Sequence, residues 1–170
     1  MKKNIIITGG LGYIGTELCK IYSGISWNNK ITVIDNRFIS ERVNQLRNWN
    51  INFVQGDILD KELINKHCRE ADIIHHLAGI TDVPRVKSES NETNDKKIKL
   101  VAEEGTQNIL NAMSNKCKII LPSTHVVYEG ITEVKNDILE NEQTKPVRSY
   151  AASKAINEEQ LKKSGKNYII

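Results

Sequence analysis

A glycine-rich turn near the amino terminus constrains the fold of this 170-residue chain more than any other feature. The apolar run Ile5–Ile7 leads into the segment TGGLGYIG at residues 8–15, and an amphipathic pattern follows. A short, wholly apolar run is typical of a strand that is buried on both faces, as in a parallel sheet. We therefore predict that a buried strand, a tight turn and the start of a helix follow one another here.

The glycine spacing in this turn is typical of a phosphate-binding loop. Gly9 permits the tight turn, Gly12 lets the backbone approach a pyrophosphate, and Gly15 lets the helix pack closely on the strand. The helix amino terminus adds unpaired N–H groups and a partial positive charge. Asp35, which ends the next apolar run, can accept hydrogen bonds from the adenosine ribose hydroxyls. The sequence therefore predicts a dinucleotide site.

The choice of dinucleotide depends on two neighbouring charges. The carboxylate of Asp35 repels a 2′-phosphate, which favours NAD over NADP. Arg37 argues for NADP instead, because an arginine can hold that phosphate. We predict NAD. The structural alternative is a glycine turn without a ligand, in which the aspartate only caps a helix.

Apolar runs alternate with helical patterns along the whole chain. We predict strands at 5–8, 31–34, 51–54, 72–77, 118–121 and 168–170, and helices at 13–23, 61–68, 94–114 and 149–163, with a short helix around Val43 and Leu46. Strands separated by helices form a parallel sheet with right-handed crossovers. The predicted fold class is therefore α/β, a Rossmann doubly wound parallel sheet with helices on both faces, in one domain over residues 1–170.

Further details follow from the pattern of apolar and polar residues. Ile14, Leu18 and Ile21 share one stripe of the helix at 13–23, and we expect this stripe in the core. The polar segments 81–93 and 128–148 are predicted to be loops. The chain stops as a sixth strand begins, so we expect it to be the amino-terminal portion of a longer protein.

Composition argues against several classes of protein. The formal net charge of +3 is spread along the chain, too little to favour nucleic acid or an anionic membrane as partner. No apolar run approaches the ~20 residues of a membrane span, and no signal peptide is expected. The odd cysteine count (Cys19, Cys68 and Cys117) favours reduced thiols, with Cys19 and Cys117 in the core. We expect a soluble cytoplasmic protein without a metal site, since no residues have metal-ligand spacing.

Tyr150 and Lys154 stand four residues apart on the last predicted helix, which places both side chains on one face. A free tyrosine has a pKa of about 10 and is a poor base at neutral pH, but a neighbouring ammonium stabilises its phenolate. Thr124 and Ser123 follow the fifth strand, at the sheet edge where ligands bind. Either hydroxyl can bond a substrate alcohol or ketone. The alternative for the tyrosine–lysine pair is a surface contact without function, and the alternative for the two hydroxyls is a simple turn at the end of the strand.

Seven segments, in their order along the chain, resemble the extended short-chain dehydrogenase/reductase family. They are TGGLGYIG at 8–15, VIDN at 33–36, GDI at 56–58, HLAG at 76–79, EGT at 104–106, STHVVYEG at 123–130 and YAASK at 150–154. Within that family the chain resembles the NAD-dependent nucleotide-sugar epimerases and dehydratases, in particular the UDP-glucose 4-epimerase type.

The resemblance implies a role for each matching position. Those that would line the cofactor are Gly9, Gly12, Tyr13 and Ile14 at the pyrophosphate, Asp35 and Asn36 at the adenosine ribose, Asp57 and Ile58 at the adenine, and Leu77, Ala78, Gly79 and Thr81 at the middle of the cofactor. Thr124 falls where the family has its catalytic serine or threonine. Tyr150 would be the acid/base, and Lys154 its partner and a ligand of the nicotinamide ribose.

The sequence departs from the family pattern in several places. Ala102 stands where many members have an asparagine, so a supporting hydrogen bond is missing, and Glu129 is an insertion into the usual VYG. The family's 4,6-dehydratases usually have an acid or a serine, and then a glutamate, where this chain has His125 and Val126, which argues against elimination chemistry. His76 matches the family's structural histidine. The family's carboxyl-terminal region, which binds the sugar nucleotide, is absent from the chain.

The resemblance therefore implies an NAD-dependent epimerase that oxidises a nucleotide sugar to a 4-keto intermediate and reduces it again on the other face. Two alternatives stay open. One is an NAD(P)-dependent sugar-nucleotide reductase or dehydrogenase with net redox chemistry. The other is a truncated, non-catalytic dinucleotide-binding module. A homodimer through the tyrosine helix and the helix after it is also implied.

Overall fold

The computed structural model describes residues 2–25, 28–81, 92–133 and 137–170. Strands and helices alternate along these ranges. They are β1 (Asn4–Thr8), α1 (Tyr13–Gly24), β2 (Lys30–Asp35), α2 (Ser40–Asn48), β3 (Asn52–Gln55), α3 (Lys61–Cys68), β4 (Ile73–His76), α4 (Glu92–Leu100), a π-helical turn (Val101–Gly105), α5 (Thr106–Ala112), β5 (Lys118–Ile120), a 3-10 turn (His125–Tyr128), α6 (Ser149–Lys163) and β6 (Asn167–Ile169).

The strands form one sheet in the order β3-β2-β1-β4-β5-β6, and every neighbouring pair is parallel. The chain leaves the central strand β1 towards β2 and β3, and then crosses back to β4 on the other side. This reversal places a crevice at the carboxyl ends of β1 and β4, where ligands bind in open α/β sheets. The predicted doubly wound parallel sheet is confirmed.

The central strand β1 is buried on both faces, as its sequence predicts. Its three isoleucines are at most 1% exposed, and successive side chains enter opposite apolar clusters. Ile6 packs on the side of α3, α5 and α6, whose contributions include Ile64, Ile109 and Leu161. Ile5 and Ile7 pack on the side of α1 and α2. Helices therefore cover both faces of the sheet.

The predicted core stripe of α1 is wrong at two of its three positions. Ile14 is 60% exposed and Ile21 is 59% exposed, whereas Leu18 packs against the core beside the buried Cys19. The reason is Gly15, where an added Cβ would lie 2.6 Å from the Cα of Gly10. Contact through this glycine sets the rotation of the helix about its axis, and that rotation turns Ile14 and Ile21 away from the sheet.

The bounds of the other elements follow the sequence closely, with one difference. The predicted helices at 61–68 and 149–163 coincide with α3 and α6. The single helix predicted at 94–114 is instead α4, a π-helical turn and α5, where Gly105 lies against Ile58. All three cysteines are free and buried, so the expected core placement of Cys19 and Cys117 is confirmed.

Two of the predicted loops fall partly beyond the described ranges. Of the loop at 81–93, residues 82–91 lie outside the described residues, and of the loop at 128–148, residues 134–136 do. Within the described ranges, no helix combines the length and the apolar character needed to cross a bilayer.

Candidate active site

One cavity of about 650 Å³ opens at the carboxyl edge of the sheet, over the crevice between β1 and β4. Its walls come from the glycine turn, from the segments that follow β2, β3, β4 and β5, and from α4 and α6. The predicted cofactor residues all line it, and they are Gly9, Gly12, Tyr13, Ile14, Asp35, Asn36, Asp57, Ile58, Leu77, Ala78, Gly79, Thr81, Tyr150 and Lys154. The fold thus brings together residues that lie up to 145 positions apart in the sequence.

The glycine turn is built so that a ligand can approach the backbone. Gly9 has a φ of +69°, and a Cβ there would lie 2.6 Å from the backbone nitrogen of Ala78, so glycine alone fits. Helix α1 begins after Gly12 with no side-chain cap and no acidic residue in its first turn. Its first N–H groups lack helical acceptors, and the first-turn residues Tyr13, Ile14 and Gly15 line the cavity, which suits a diphosphate.

Asp35 is deeply buried and already bonded within the chain. Its side chain is 3% exposed. Oδ2 accepts a hydrogen bond from the backbone N–H of Leu11 at 3.0 Å, and Oδ1 accepts one from the N–H of Arg37 at 3.0 Å. The Arg37 Nε approaches the same Oδ1 at 3.3 Å. The carboxylate therefore ties the glycine turn to the end of β2.

A second carboxylate, that of Asp57, lines the cavity wall after β3. Asn36 donates from Nδ2 to Oδ2 of Asp57 at 2.9 Å, and the other oxygen of Asp57 accepts from the N–H of Leu59 at 3.0 Å. Asn108 on α5 donates from Nδ2 to the backbone oxygen of Ile58 at 3.0 Å. The segment after β3 is thus fixed by hydrogen bonds from two directions.

Tyr150 and Lys154 reach the opposite end of the same cavity from α6. The Lys154 side chain donates from Nζ to the backbone oxygen of Pro122 at 3.0 Å. Lys154 is 9% exposed, and burial lowers the pKa of its ammonium from the ordinary value. The hydrogen bond holds the lysine nitrogen at the end of β5, one helical turn from the tyrosine.

The two candidate hydroxyls after β5 take different places. Ser123 lines the cavity, and its Oγ donates to the Glu158 carboxylate on α6. Thr124 does not line the cavity in this structure, and its Oγ1 accepts from the N–H of Val126 at 3.4 Å as the cap of the 3-10 turn. The catalytic role given to Thr124 stays a prediction.

A buried polar network lies beneath the cavity, and the sequence alone does not reveal it. His76 bonds Thr8 Oγ1 through Nδ1 and Thr106 Oγ1 through Nε2, both at 2.9 Å. Asn157 on α6 donates from Nδ2 to Thr106 Oγ1 at 2.8 Å and to the backbone oxygen of Ala102 at 2.9 Å. Burial lowers the pKa of His76 to about 3, so the ring is neutral.

The network changes the meaning of the alanine at position 102. Ala102 lacks the asparagine side chain that many family members have there, yet the backbone carbonyl of Ala102 accepts a hydrogen bond from Asn157. Asn157 lies three residues after Lys154 and seven after Tyr150, so the sequence places it on their helix face but does not identify the groups that it bonds. Thr106 belongs to the EGT segment, and the sequence alone gives it no role.

The inserted Glu129 anchors the residues directly before α6, the helix that carries Tyr150. Its Oε1 accepts from the backbone N–H groups of Val147 at 2.9 Å and of Arg148 at 2.7 Å, directly before α6 begins. Ser149 donates from Oγ to the Asp95 carboxylate on α4, which gives the helix a second anchor.

In the described part of the chain, no group of three or more histidine, cysteine or acidic residues is placed to hold a metal ion.

Known proteins resemble the chain along nearly its whole length. UDP-N-acetyl-alpha-D-glucosaminuronate decarboxylase from Bacillus cytotoxicus is 33% identical over 169 residues, covering 93% of this chain and 49% of the relative. The structure of UDP-N-acetylglucosamine 4-epimerase from Methanobrevibacter ruminantium M1 is 29% identical with a TM-score of 0.79, covering 99% of this chain and 54% of that one. UDP-glucose 4-epimerase from Brucella ovis, in complex with NAD, is 26% identical with a TM-score of 0.76, covering 98% of this chain and 50% of that one.

These proteins are about twice as long as the chain, which spans roughly half the length of each. The shared half contains the glycine turn, the strand ends and the tyrosine helix. The 3-beta hydroxysteroid dehydrogenase/isomerase family matches residues 6–169, from β1 to β6. The expected resemblance to extended short-chain dehydrogenases/reductases is confirmed: the chain belongs to the 3-beta hydroxysteroid dehydrogenase/isomerase family.

Proposed function

We propose that residues 1–170 form the dinucleotide-binding domain of a longer NAD-dependent epimerase that acts on a nucleotide sugar. The observation that carries this proposal is the single cavity shared by the glycine turn, Asp35 and the Tyr150–Lys154 pair. Two of the similar solved proteins are nucleotide-sugar 4-epimerases, and one of them was solved with NAD. A dinucleotide across this cavity would extend from Asp35 to the tyrosine.

The cavity segments that follow successive strands of the sheet would each contact a different part of such a cofactor. The N–H groups that begin α1 would hold the pyrophosphate, and the segment after β3, around Asp57 and Ile58, would flank the adenine. Leu77 and Ala78 after β4 would line its middle. When bound, NAD supplies a group that accepts hydride from a sugar carbon and returns it.

Proton transfer would be the task of α6. Tyr150 lines the cavity at the end away from Asp35, so its phenolate oxygen can take the proton of a sugar hydroxyl as hydride leaves the same carbon. Lys154, held by Pro122, places a positive charge one helical turn away and stabilises that phenolate. A hydroxyl of the segment after β5, Thr124 or Ser123, would orient the sugar oxygen.

The partners and the compartment belong to the same proposal. The protein would work as a homodimer on a nucleotide sugar, as implied by its resemblance to the epimerase branch. Its three cysteines are free and buried, which suits the reducing cytoplasm. Light scattering of the full-length protein tests the dimer, and a monomer at micromolar concentration would contradict it.

The decisive test replaces Tyr150 with phenylalanine in the full-length protein. Epimerisation of UDP-glucose or UDP-N-acetylglucosamine should fall by a factor on the order of 10²–10⁴, while NAD binding measured by calorimetry is retained. Tyr168→Phe, on the edge strand β6, is the matched control and should keep full activity. Undiminished turnover in Tyr150→Phe would refute the catalytic role, and accumulation of NADH in proportion to product would identify a dehydrogenase instead.

A further inference from the structure

Helix α4 contributes a lysine to the cavity wall. Three positions of α4 and the π-helical turn that continues it line the cavity, and they are Asn94, Lys97 and Val101. Their spacing of three and four residues places them on one face of the helix. Lys97 therefore belongs to the helix face that borders the cavity, and its long side chain carries a positive charge there.

The charge of Lys97 is not used within the described part of the chain. The other two lysines of α4 have partners one helical turn away, since Lys96 pairs with Glu92 at 2.7 Å and Lys99 with Glu103 at 3.6 Å. No acidic residue stands three or four positions from Lys97. Its side chain makes no ion pair and no hydrogen bond with any described residue. The ammonium is therefore available to a ligand.

Three hydrogen bonds fix the height of Lys97 relative to the tyrosine helix. They join Ser149 to Asp95, Asn157 to Ala102 and Gln160 to Glu103. The bonded positions advance together along both chain segments, so α4 and α6 run side by side in the same direction. Lys97, two residues after the first bond, then lies level with Ala151, between Tyr150 and Lys154. It thus belongs to the end of the cavity where hydride would be transferred.

Charges of opposite sign are separated along the described wall of the cavity. The carboxylates of this wall belong to Asp35 and Asp57, at the end that would hold the adenosine. The tyrosine end has the ammonium groups of Lys97 and Lys154 and, in the described part of the wall, no carboxylate. This end is therefore positively charged before any ligand enters.

The groups nearby do not balance both ammonium groups. The Glu158 carboxylate of α6 does not line the cavity, and it is paired with Lys162 at 3.2 Å. The phenolate proposed for Tyr150 would balance Lys154. The nicotinamide ring of oxidised NAD is itself a cation, so the cofactor adds no negative charge at this end. The ammonium of Lys97 therefore favours a substrate with an anionic group on its sugar.

We propose that Lys97 forms a subsite for a sugar carboxylate, so that the substrate is a nucleotide sugar whose sugar is a uronic acid. The inference rests on the proposed function, because it presumes that a sugar is oxidised at C4 beside Tyr150. A uronic acid carries its carboxylate on C5, the carbon next to C4. The nucleotide diphosphate is attached at C1, on the far side of the ring. A cation level with Tyr150 is therefore closer to the carboxylate, and Lys97 is a specificity-determining residue.

The test compares two nucleotide sugars that differ only at C6. UDP-glucuronate has a carboxylate there, and UDP-glucose has a hydroxymethyl group. In calorimetry with NAD and the full-length protein, UDP-glucuronate should bind about tenfold more tightly than UDP-glucose. Lys97→Met keeps most of the side-chain length without the charge. It should remove this preference, while the dissociation constants of UDP-glucose and of UDP alone change less than about threefold.

Control variants separate the subsite from a general effect of charge. Lys96→Met removes a lysine of the same helix that is paired with Glu92, and the preference for UDP-glucuronate should remain. Lys97→Arg keeps a positive charge and should retain most of the preference.

Two results would overturn the carboxylate subsite while NAD still binds. One is equal affinity of the wild-type protein for UDP-glucuronate and UDP-glucose. The other is a loss of affinity in Lys97→Met that is the same for UDP and for both nucleotide sugars, because the ammonium would then bind the diphosphate. If the wild-type protein binds neither NAD nor any of these nucleotides, the proposed function fails, and the subsite fails with it.

Discussion

Lys154 on α6 donates a hydrogen bond to the backbone oxygen of Pro122, just beyond β5, at 3.0 Å. This contact joins the helix that carries Tyr150 to the strand end that carries Ser123 and Thr124. The buried ammonium therefore has a fixed place relative to the proposed base, Tyr150, and to the protein hydroxyls that are proposed to orient the substrate.

Replacement of Lys154 by methionine keeps the length of the side chain and removes its charge. In the full-length enzyme the phenolate of Tyr150 then loses a stabilising cation, so turnover at pH 7 should fall on the order of 10²-fold and recover in part as the pH rises. Measurement of kcat/KM from pH 6 to 10 gives the profile. Lys163→Met, an exposed lysine on the same helix, is the control. An unshifted profile in Lys154→Met would exclude the proposed role.

His76 should make the stability of the protein depend on pH. Burial, and to a smaller extent the charge of Lys154, lowers the pKa of His76 to about 3, whereas an unfolded histidine titrates at about 6.5. The unfolded state therefore binds the proton, and the stability due to the neutral ring is complete above about pH 6.5 and lost progressively as the pH falls towards 3. Between pH 7 and pH 5 the loss amounts to about 2 kcal/mol.

Urea unfolding at pH 7 and pH 5 tests this value. The His76→Gln protein should be less stable at pH 7, but its further loss on acidification should be about 2 kcal/mol smaller than that of wild type. His125→Gln, an exposed histidine of the 3-10 turn, should behave as wild type. Equal acid sensitivity in wild type and His76→Gln would show that His76 is not the source.

Loss of the Glu129 carboxylate should destabilise the start of α6. Glu129→Ala leaves the N–H groups of Val147 and Arg148 without their acceptor, and we expect a cost of about 1–2 kcal/mol in the free energy of unfolding. Glu129→Gln retains an acceptor oxygen and should cost less. Chemical denaturation measures both variants, with Glu140→Ala as a control in the same loop. If the alanine variant matches wild type, the anchoring role of Glu129 is wrong.

The sequence predicted the architecture well because local signals were strong. Three consecutive isoleucines before the glycine turn indicated a strand buried on both faces, and this strand is the centre of the sheet. The positions of Tyr150 and Lys154 on one helix face, and the strand-end placement of Asp35, followed from periodicity alone. These features depend on residues close together in the chain.

The missed features depend on contacts between distant residues. The rotation of α1 is set by the packing of Gly15 on Gly10, and no hydrophobic pattern reveals which isoleucines it exposes. The bond from Asp35 to Leu11 spans 24 positions, and that from Asn157 to Ala102 spans 55. A polar residue in a pattern carries no information on which distant group satisfies it, so these bonds needed a three-dimensional structure.

The buried face of α6 is mainly polar: Ser153, Lys154, Asn157 and Glu158 lie on it with Ala151 and Leu161. Apolar contacts are not directional and tolerate sliding, whereas each hydrogen bond has one donor and one acceptor at a defined spacing. A shift of this helix by one turn would move Asn157 away from Thr106 and Lys154 away from Pro122 together. Transplanting the helix into another scaffold would therefore require its acceptors to be transplanted with it.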